Sequence, residues 1–508
     1  MSVLRRALAC AALVILAAPD ARAHIGSPNV YFTGQAGPYA VRVVIRPPLA
    51  LPGRAEVNVT VVEGEGVKQV RLLAAPAGVA PEMLPPPDVA SPVGGVAGLH
   101  AAELWIMAPG AYGVRVAVAG IRGEGETVVP LNAVNQAPAG MAPWLRVALG
   151  ILGIALGGGA VLVAAATARE APLAPGVAPS EADRSRGTVA GGAMAAVLAV
   201  AAVLGWGAWR RMDADYRSNQ LFQPLPIAAR AEVVGPRRVV RLRALPDARG
   251  RAEWPRLVTD HGKLMHLFLL REPELDAFAH IHPRPVGEEY VVTVPPLPAG
   301  TYRLYADVTQ ESGLSQTLTT TVALPEAPPS SAADPDPSLA PDPDDSWNVA
   351  AAPPGPATAV PLLNGYRMSW RNPEAAGRPG EARLEFEVTD PQGRPARLTP
   401  YMGMMGHAAV RRDDGAVFAH LHPAGSISMA SQMVFEAAQS PPPSGTGGMA
   451  GMDHSRHMAA HDAPAVSQVA FPYAFPRRGS YRIWVQVKLD DTVMTGVFDA
   501  RATAADSD

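Results

Sequence analysis

Two stretches of the chain carry nearly the same sequence: HGKLMH (261–266) followed by FAHIHP (278–283), and MGMMGH (402–407) followed by FAHLHP (418–423). Fourteen positions separate His266 from His280, and thirteen separate His407 from His420. Such similar motifs at nearly equal spacing indicate an internal repeat. We therefore expect a duplicated β module in the C-terminal half of the chain.

Strand-length runs surround both stretches, for example VVRLRAL (239–245) and YRIWVQVKL (481–489), and similar runs begin near residue 41. Alternation of apolar and polar residues between Pro and Gly turns is typical of antiparallel sheets. The sequence predicts a mainly β protein with three Ig-like β-sandwich modules. Their predicted bounds are 24–140, 218–325 and 361–503, with a Pro/Asp-rich linker at 326–360 that cannot bury a core and a low-complexity insertion at 440–464.

Three apolar segments predict where the modules lie. Residues 1–23 combine a basic start, an apolar run and a small-x-small end, which is typical of a secretory signal peptide and predicts a mature chain beginning at His24. Segments 144–166 and 188–209 are close to the ~20 apolar residues that cross a bilayer. We expect two transmembrane helices in the inner membrane joined by a cytoplasmic loop at 167–187, with the N-terminal domain and the C-terminal modules in the periplasm. The alternative is a pair of buried helices in a soluble core.

Cysteine usage and charge exclude several classes of function. The single cysteine, Cys10, lies inside the predicted signal peptide, so the mature protein has no thiol for a disulfide, a thiolate zinc site or a nucleophile. A formal net charge of -3 argues against nucleic-acid binding.

The histidines of the repeats predict a metal site. Alternate residues of a strand share a face, so His280 and His282 project together, and a hairpin would bring His266 beside them. The second repeat offers His407, His420 and His422 in the same way. The alternative is that these side chains lie on the polar face of an exposed sheet or are hydrogen-bonded partners in a hairpin. A further possibility is that the two sheets pair their histidines across the modules into one site.

Copper is the expected cofactor, with zinc as the other possibility. Three neutral imidazoles suit either ion, and nearby methionines favour copper. The candidate thioether ligands are Met265, Met402, Met404 and Met405. Of these, Met265 would point to the opposite face from His266 unless a bulge re-aims it.

A His/Met-rich tract interrupts the second repeat. It contains Met449, Met452, His454, His457, Met458 and His461 among Gly and Ala. Such a composition is typical of flexible metal capture and predicts delivery or sequestration. The alternative is a solvated loop whose His and Met content is incidental.

The N-terminal region resembles known secreted proteins in two ways. A terminal amine and imidazole on His24, with a second histidine such as His100, would form the metal brace that copper-resistance proteins of the C type and lytic monooxygenases contain; the alternative is a capping or disordered terminus. The stretches HIGSPNVYF (24–32) and WIMAPGAYGVRV (105–116) resemble YtkA-like secreted sandwiches.

The C-terminal half resembles a family of uncharacterised bacterial membrane-tethered secreted proteins. The resemblance rests on DHGKLMHLFL (260–269), both F-A-H-x-H-P stretches, PYMGM (400–404) and FPYAFP (471–476), and covers about residues 250–500. It implies the same tethered architecture and a link to copper.

No enzyme signature is recognised. A cupin would place Glu three or four residues after H-x-H, whereas Glu288 comes six after His282 and the second repeat has serines and an isoleucine there. G-x-S-x-G, H-E-x-x-H and phosphate loops are missing from the sequence. We expect a non-enzymatic, membrane-anchored copper-handling protein whose partners are the metal ion and the membrane. The alternative is an envelope scaffold that binds another protein through its sandwiches.

Overall fold

The computed structural model describes residues 29–62, 64–138, 140–247, 250–327, 339–349, 357–378, 380–439 and 466–503. These residues form two compact units, Asn135–Phe222 and the remainder of the chain. The predicted fold class is confirmed: strands in several β-sheets make up most of the regular secondary structure of the described residues, and two apolar helices lie between the N-terminal and C-terminal β regions in sequence. The predicted signal peptide, His24 and the His/Met tract lie outside the described residues.

The N-terminal module consists of eight antiparallel strands in the order β1-β2-β3-β6-β5-β4-β7-β8. The strands are β1 (Val30–Ala36), β2 (Tyr39–Arg46), β3 (Gly53–Val61), β4 (Val67–Pro76), β5 (Asp88–Pro92), β6 (Leu99–Ile106), β7 (Gly110–Gly120) and β8 (Gly123–Ala133). Burial alternates strictly along β2, because one face packs inward and the other does not. The inward faces of β2, β3 and β7 meet in one valine-rich core.

Two helices form the second unit, α1 (Pro143–Glu170) and α2 (Glu181–Asn219). Both are long and apolar enough to cross a membrane by length and composition. They pack through small residues: a Cβ at Gly187 would lie 2.8 Å from the carbonyl oxygen of Ala165, so only glycine permits this approach.

Helical structure extends into the predicted loop 167–187 from both sides, and the non-helical connection covers residues 171–180. A capping box starts α2 at Ser180, whose hydroxyl accepts from the Asp183 amide while the Asp183 carboxylate accepts from the Ser180 amide. Hydropathy detects the apolar centre of a helix but not polar ends of this kind.

The first repeat module has two facing sheets. One has the order β14-β15-β10-β9, and the other has the order β11-β16-β12-β13-β18, with β17 also paired to β16. The strands are β9 (Ile227–Val234), β10 (Arg237–Ala244), β11 (Leu257–Val258), β12 (His266–Arg271), β13 (Ala277–Ile281), β14 (Arg284–Val286), β15 (Glu289–Thr293), β16 (Gly300–Gln310), β17 (Ser315–Leu324) and β18 (Ser346–Val349).

Strand β18 corrects the prediction that 326–360 is only a linker. Its residues pair with β13, with Ser346 opposite His280. Leu339 is buried against Val239 and Val291 of the neighbouring sheet. The Pro/Asp-rich composition hid this strand because four residues at a sheet edge give too little periodicity to recognise.

The second repeat module has the sheets β19-β20-β21-β24 and β23-β22-β25-β26. The strands are β19 (Ala359–Pro361), β20 (Arg367–Trp370), β21 (Ala382–Thr389), β22 (His407–Arg412), β23 (Phe418–Leu421), β24 (Gln468–Tyr473), β25 (Gly479–Leu489) and β26 (Thr492–Ala502). Helix α3 (Met429–Gln439) follows β23, and short 3-10 helices occupy Pro81–Met83, Leu363–Gly365 and Pro373–Gly377.

The two repeat modules pack against each other through the outer faces of the sheets that carry β12 and β22. Aromatic rings fill this interface: Phe278 stacks on Trp484 with centroids 5.2 Å apart, and Tyr305 stacks on Phe418 at 4.0 Å. Both faces of β12 are therefore buried, one in the module core and one between modules.

Candidate metal centre

Each H-x-H pair and its partner histidine come together on one hairpin. Strands β12 and β13 pair so that Phe268 lies opposite His280, and β22 and β23 pair so that Ala409 lies opposite His420. Side-chain alternation then places His266, His280 and His282 on the face that meets the other module.

The two triads lie side by side between the modules. His266 and His420 have ring centroids 5.3 Å apart, and the rings of His280 and His420 are separated by 5.5 Å. The first triad consists of His266, His280 and His282, and the second consists of His407, His420 and His422. The interpretation of these residues as the polar face of an exposed sheet is wrong, because a second sheet covers that face and five of the six are at most 3% exposed.

In the first triad, one nitrogen of each imidazole forms a hydrogen bond with an oxygen of the protein. Nε2 of His266 donates to the carbonyl of Asp260 at 3.1 Å, and Nδ1 of His280 faces Oε1 of Gln486 at 3.0 Å. Nδ1 of His282 donates to the Asp345 carboxylate at 3.0 Å.

The second triad repeats this pattern atom for atom. Nε2 of His407 donates to the Tyr401 carbonyl at 3.1 Å, and Nδ1 of His422 donates to the Ile427 carbonyl at 3.1 Å. Nδ1 of His420 lies 3.3 Å from the Asp307 carboxylate.

The second ring nitrogen of each histidine is directed at the other histidines of its triad. A carbonyl only accepts, so the proton of His266 is on Nε2 and its Nδ1 carries a lone pair; His407 is fixed in the same way. Nδ1 of His266 lies 3.0 Å from Nε2 of His280, and Nδ1 of His407 lies 3.2 Å from Nε2 of His420. The tautomers of His280 and His420 decide what each contact is: a proton on Nε2 makes it a hydrogen bond, and a proton on Nδ1 directs two lone pairs at one position that a cation can occupy.

The arrangement of the other nitrogens also suits a cation. Nε2 of His282 and Nε2 of His422 are buried without a hydrogen-bond partner among the described residues. In each triad, three ligand nitrogens lie within 4.8 Å of one another. For metal–nitrogen bonds of about 2.0–2.1 Å, nitrogens 3.0–3.2 Å apart subtend about 95–105° at the ion, close to tetrahedral or square-planar values.

The groups that orient the imidazoles are exchanged between modules. Gln486 lies opposite His407 in the second module yet contacts His280 of the first, while Asp307 lies opposite His266 in the first module yet contacts His420 of the second. Such outer partners fix the tautomer and direction of a ligand. Neither triad is completely oriented until the modules are packed together.

Residues of the predicted linker complete the first triad. The Asp345 carboxylate accepts from both Nδ1 and the backbone amide of His282. Asp342 could join these two as a cation site, but Lys263 already neutralises it, with Nζ 2.6 Å from Oδ1. We therefore assign Asp345 the role of orienting His282.

Burial keeps five of the six imidazoles neutral. Removal from water, followed by the charges of neighbouring histidines, holds the pKa well below the usual value at His266, His280, His407 and His420. The same effects lower the pKa of His422 to about 4. Burial raises the pKa of Asp307 to about 7, although Thr317 donates to its carboxylate at 2.5 Å. Neutral imidazole is the form that binds metal.

The prediction that Met265 is a metal ligand is wrong. Its side chain is fully buried in the apolar core of its own module, on the face opposite His266. Met405 is half-buried and packs against the core of the second module, and its role stays a prediction. Met402 and Met404 lie half-buried in the turn before β22 and remain candidates. His24, His454, His457 and His461 lie outside the described residues, and His100 lies on β6 with Nδ1 3.2 Å from the Gly98 carbonyl.

The N-terminal module also holds the second triad in place. The carbonyl that orients His422 belongs to Ile427, whose side chain is buried in the core of the N-terminal sandwich. Strand β1 pairs with the same segment, since the Thr33 amide donates to Ala424 at 2.7 Å and the Ser426 amide donates to Tyr31 at 3.0 Å. A nearby contact, from the Ala430 amide to the Asp260 carboxylate, ties α3 to the first module.

Sequence reasoning missed five residues of the centre. His261, Asp307, Asp345, Ile427 and Gln486 were not identified. For His261 a signal existed, because it opens the first repeated stretch. Asp307 and Gln486 could have been found only by aligning the strands that follow in the two repeats.

Comparisons with known proteins add little to this geometry. A family described as Domain of unknown function (DUF8832) matches residues 359–504, which is the second repeat module. No curated protein matches the chain.

Several solved structures are similar at low identity. The FN1–FN3 domains of chicken CNTN1 are 8% identical, with 91% of this chain and 97% of that chain covered and a TM-score of 0.13. Dimeric latent PorU from Porphyromonas gingivalis is 7% identical, with 94% and 34% covered and a TM-score of 0.14. A protein from Corynebacterium diphtheriae described as membrane anchored is 9% identical, with 94% and 97% covered and a TM-score of 0.14. TM-scores of this size carry no argument about function.

Proposed function

We propose that this protein is a non-enzymatic, membrane-anchored copper-binding protein of the periplasm that holds two ions side by side between its repeat modules. One observation carries the proposal: six buried imidazoles each give one nitrogen to a protein acceptor and direct the other inward. A structural histidine needs only the first of these contacts. The second directs nitrogens at a common position, and the buried Nε2 atoms of His282 and His422 have no hydrogen-bond partner among the described residues, which a bound cation would supply.

The ligand set supports copper over other ions. All six donors are imidazole nitrogens, which suit copper and zinc, and copper(II) binds such sites more tightly than the other divalent first-row ions. Hard ions such as magnesium or calcium require oxygen ligands. The oxygens near the triads are already used to orient histidines.

The burial of the two histidine triads supports a role in copper storage or delivery. The triads lie under aromatic rings, with Phe268 stacked on His280 at a centroid distance of 4.3 Å. Such a centre holds an ion away from solvent and releases it only when the packing of the modules changes. The two apolar helices support a membrane anchor, and the signal sequence expected at residues 1–23 supports a periplasmic location.

The test uses the full chain purified in detergent, loaded with copper(II), washed with a chelator that removes weakly held ions, and analysed for copper per chain. We expect two retained ions. His280→Ala/His282→Ala should lose one, His420→Ala/His422→Ala should lose the other, and the quadruple variant should lose both. Circular dichroism of each apo variant checks that the sheets remain. Equal copper content in all four proteins would refute the proposal and favour a scaffold that binds another protein.

A further inference from the structure

A seventh histidine lies beside the second triad but belongs to the first module. His261 occupies the second position of a tight turn, Asp260–Lys263, that leads into β12. Met402 occupies the same position of the equivalent turn, Tyr401–Met404, before β22. The backbone φ angles are 50° for His261 and 49° for Met402. The two turns are thus the same structure with an imidazole in one and a thioether in the other.

The ring of His261 faces the ligands of the other module. Its centroid lies 5.3 Å from His407 and 5.0 Å from His422, but 6.2 Å from His266 of its own module. An ion about 2.0–2.1 Å from a ring nitrogen lies ~3 Å from the ring centre, so two imidazoles on one ion have centres ~5 Å apart. The rings within the second triad are separated by 4.5–5.4 Å. The centre of the His261 ring is therefore about as far from His407 and His422 as those two rings are from each other.

The nitrogen that could bind is also unsatisfied. Nε2 of His261 is buried and has no hydrogen-bond partner among the described residues. The nearest carboxylate oxygen, Oδ1 of Asp260, is 3.7 Å away, which is too long for a hydrogen bond. The side chain is only 8% exposed, so bulk water does not replace the missing partner.

We infer that His261 is the fourth ligand of the ion in the second triad, supplied by the first module. This assignment rests on the proposed function. It makes the two sites unequal: the second has four imidazoles from both modules, whereas the first has three, because its equivalent turn carries Met402. The four-imidazole ion crosslinks the modules and is retained. The first site has three imidazoles and a thioether candidate in place of the fourth, so the two ions differ in ligand chemistry.

Single-site backgrounds separate the two ions. The chain with His280→Ala/His282→Ala keeps only the second site, and the chain with His420→Ala/His422→Ala keeps only the first. His261→Met is introduced into each, because methionine is the native residue of the equivalent turn and fits a φ near 50°. Copper(II) affinity is measured in the full chain by competition with a chromophoric chelator.

We expect His261→Met to weaken the second-site ion by more than the about 10–100-fold that loss of an outer partner costs, and to leave the first-site ion unchanged. Electron paramagnetic resonance of the second-site copper should show the loss of one nitrogen ligand. Equal affinities with and without the substitution, or equal weakening of both sites, would overturn the assignment of His261. If neither background retains copper, the proposed function itself fails.

Discussion

His280 of the first module contacts Gln486 of the second, with Nδ1 and Oε1 3.0 Å apart. Gln486 in turn donates to Ser346 on β18, so one amide links the metal-binding hairpin, the opposite module and the edge strand. The orientation of a first-module ligand therefore depends on a residue 206 positions away.

Replacing Gln486 should weaken the first ion alone. Gln486→Leu keeps a similar volume but removes the acceptor that holds the His280 proton, and loss of such an outer partner costs roughly 10–100-fold in metal affinity. Chelator competition on the full chain measures the effect. The matched substitution is Asp307→Asn, which should weaken the second ion and spare the first. A Gln486→Leu protein with normal affinity at both sites would contradict the exchange of orienting groups.

Gly425 should link the N-terminal module to the second ion. Its φ is 129°, and a Cβ there would lie 1.9 Å from the Tyr31 carbonyl oxygen, so Gly425→Ala separates β1 from the segment that carries Ile427. We expect a lower melting temperature and weaker binding of the second ion, because the acceptor for His422 moves. Gly393→Ala is the control, since Gly393 has a φ of 78° but nothing within 4 Å of the added Cβ. Equal copper affinity in both variants would argue against this link.

Acid should destabilise the apo protein. His266, His280, His407, His420 and His422 take up protons near 6.5 when unfolded, but in the folded state their pKa values are lowered, to about 4 for His422. Unfolding then binds protons, so the free energy of unfolding falls as pH drops from about 6.5 towards 4.

Asp307 acts in the opposite direction. Its pKa is about 7 in the folded state against 3.8 ordinarily, so it favours the folded form as pH falls through that range. Five histidines outweigh one carboxyl. The melting temperature of copper-free protein should therefore be lower at pH 5 than at pH 7, and the difference should shrink in a variant with the five histidines replaced by Leu. An equal melting temperature at both pH values would refute the prediction.

The His/Met tract should affect loading more than stability. It lies outside the described residues, between the end of α3 at Gln439 and the start of β24 at Gln468. Loop shortening changes closure entropy only slowly with length, so deletion of residues 445–464 should leave the apo melting temperature nearly unchanged. The deletion should slow copper loading or reduce the ions bound before the chelator wash. Unaltered loading rate and stoichiometry would show that the tract is a solvated insertion.

Topology can be tested independently of metal. N-terminal sequencing of the mature protein should begin at His24, and protease added to spheroplasts should cleave both β regions. A different first residue would remove the terminal brace. Protection of the C-terminal modules would place them in the cytoplasm and exclude the periplasmic proposal.

Sequence periodicity alone determined the β modules, because alternation along strands such as β2 records which face is buried. It also determined the two triads, since H-x-H on a strand and a histidine on the preceding strand must share a face. The apolar helices were evident from composition, although their polar ends were not.

Only the tertiary structure decided that the triads meet, because packing between two modules depends on the shape and aromatic content of whole sheet faces. It decided that Met265 is core and not ligand, since no bulge turns it towards His266. It also brought His261, Asp307 and Gln486 to the opposite module, contacts that link residues up to 206 positions apart. The local sequence shows which residues of a strand share a face. The hydrogen-bond partner of a buried polar side chain depends on which other sheet packs over that face.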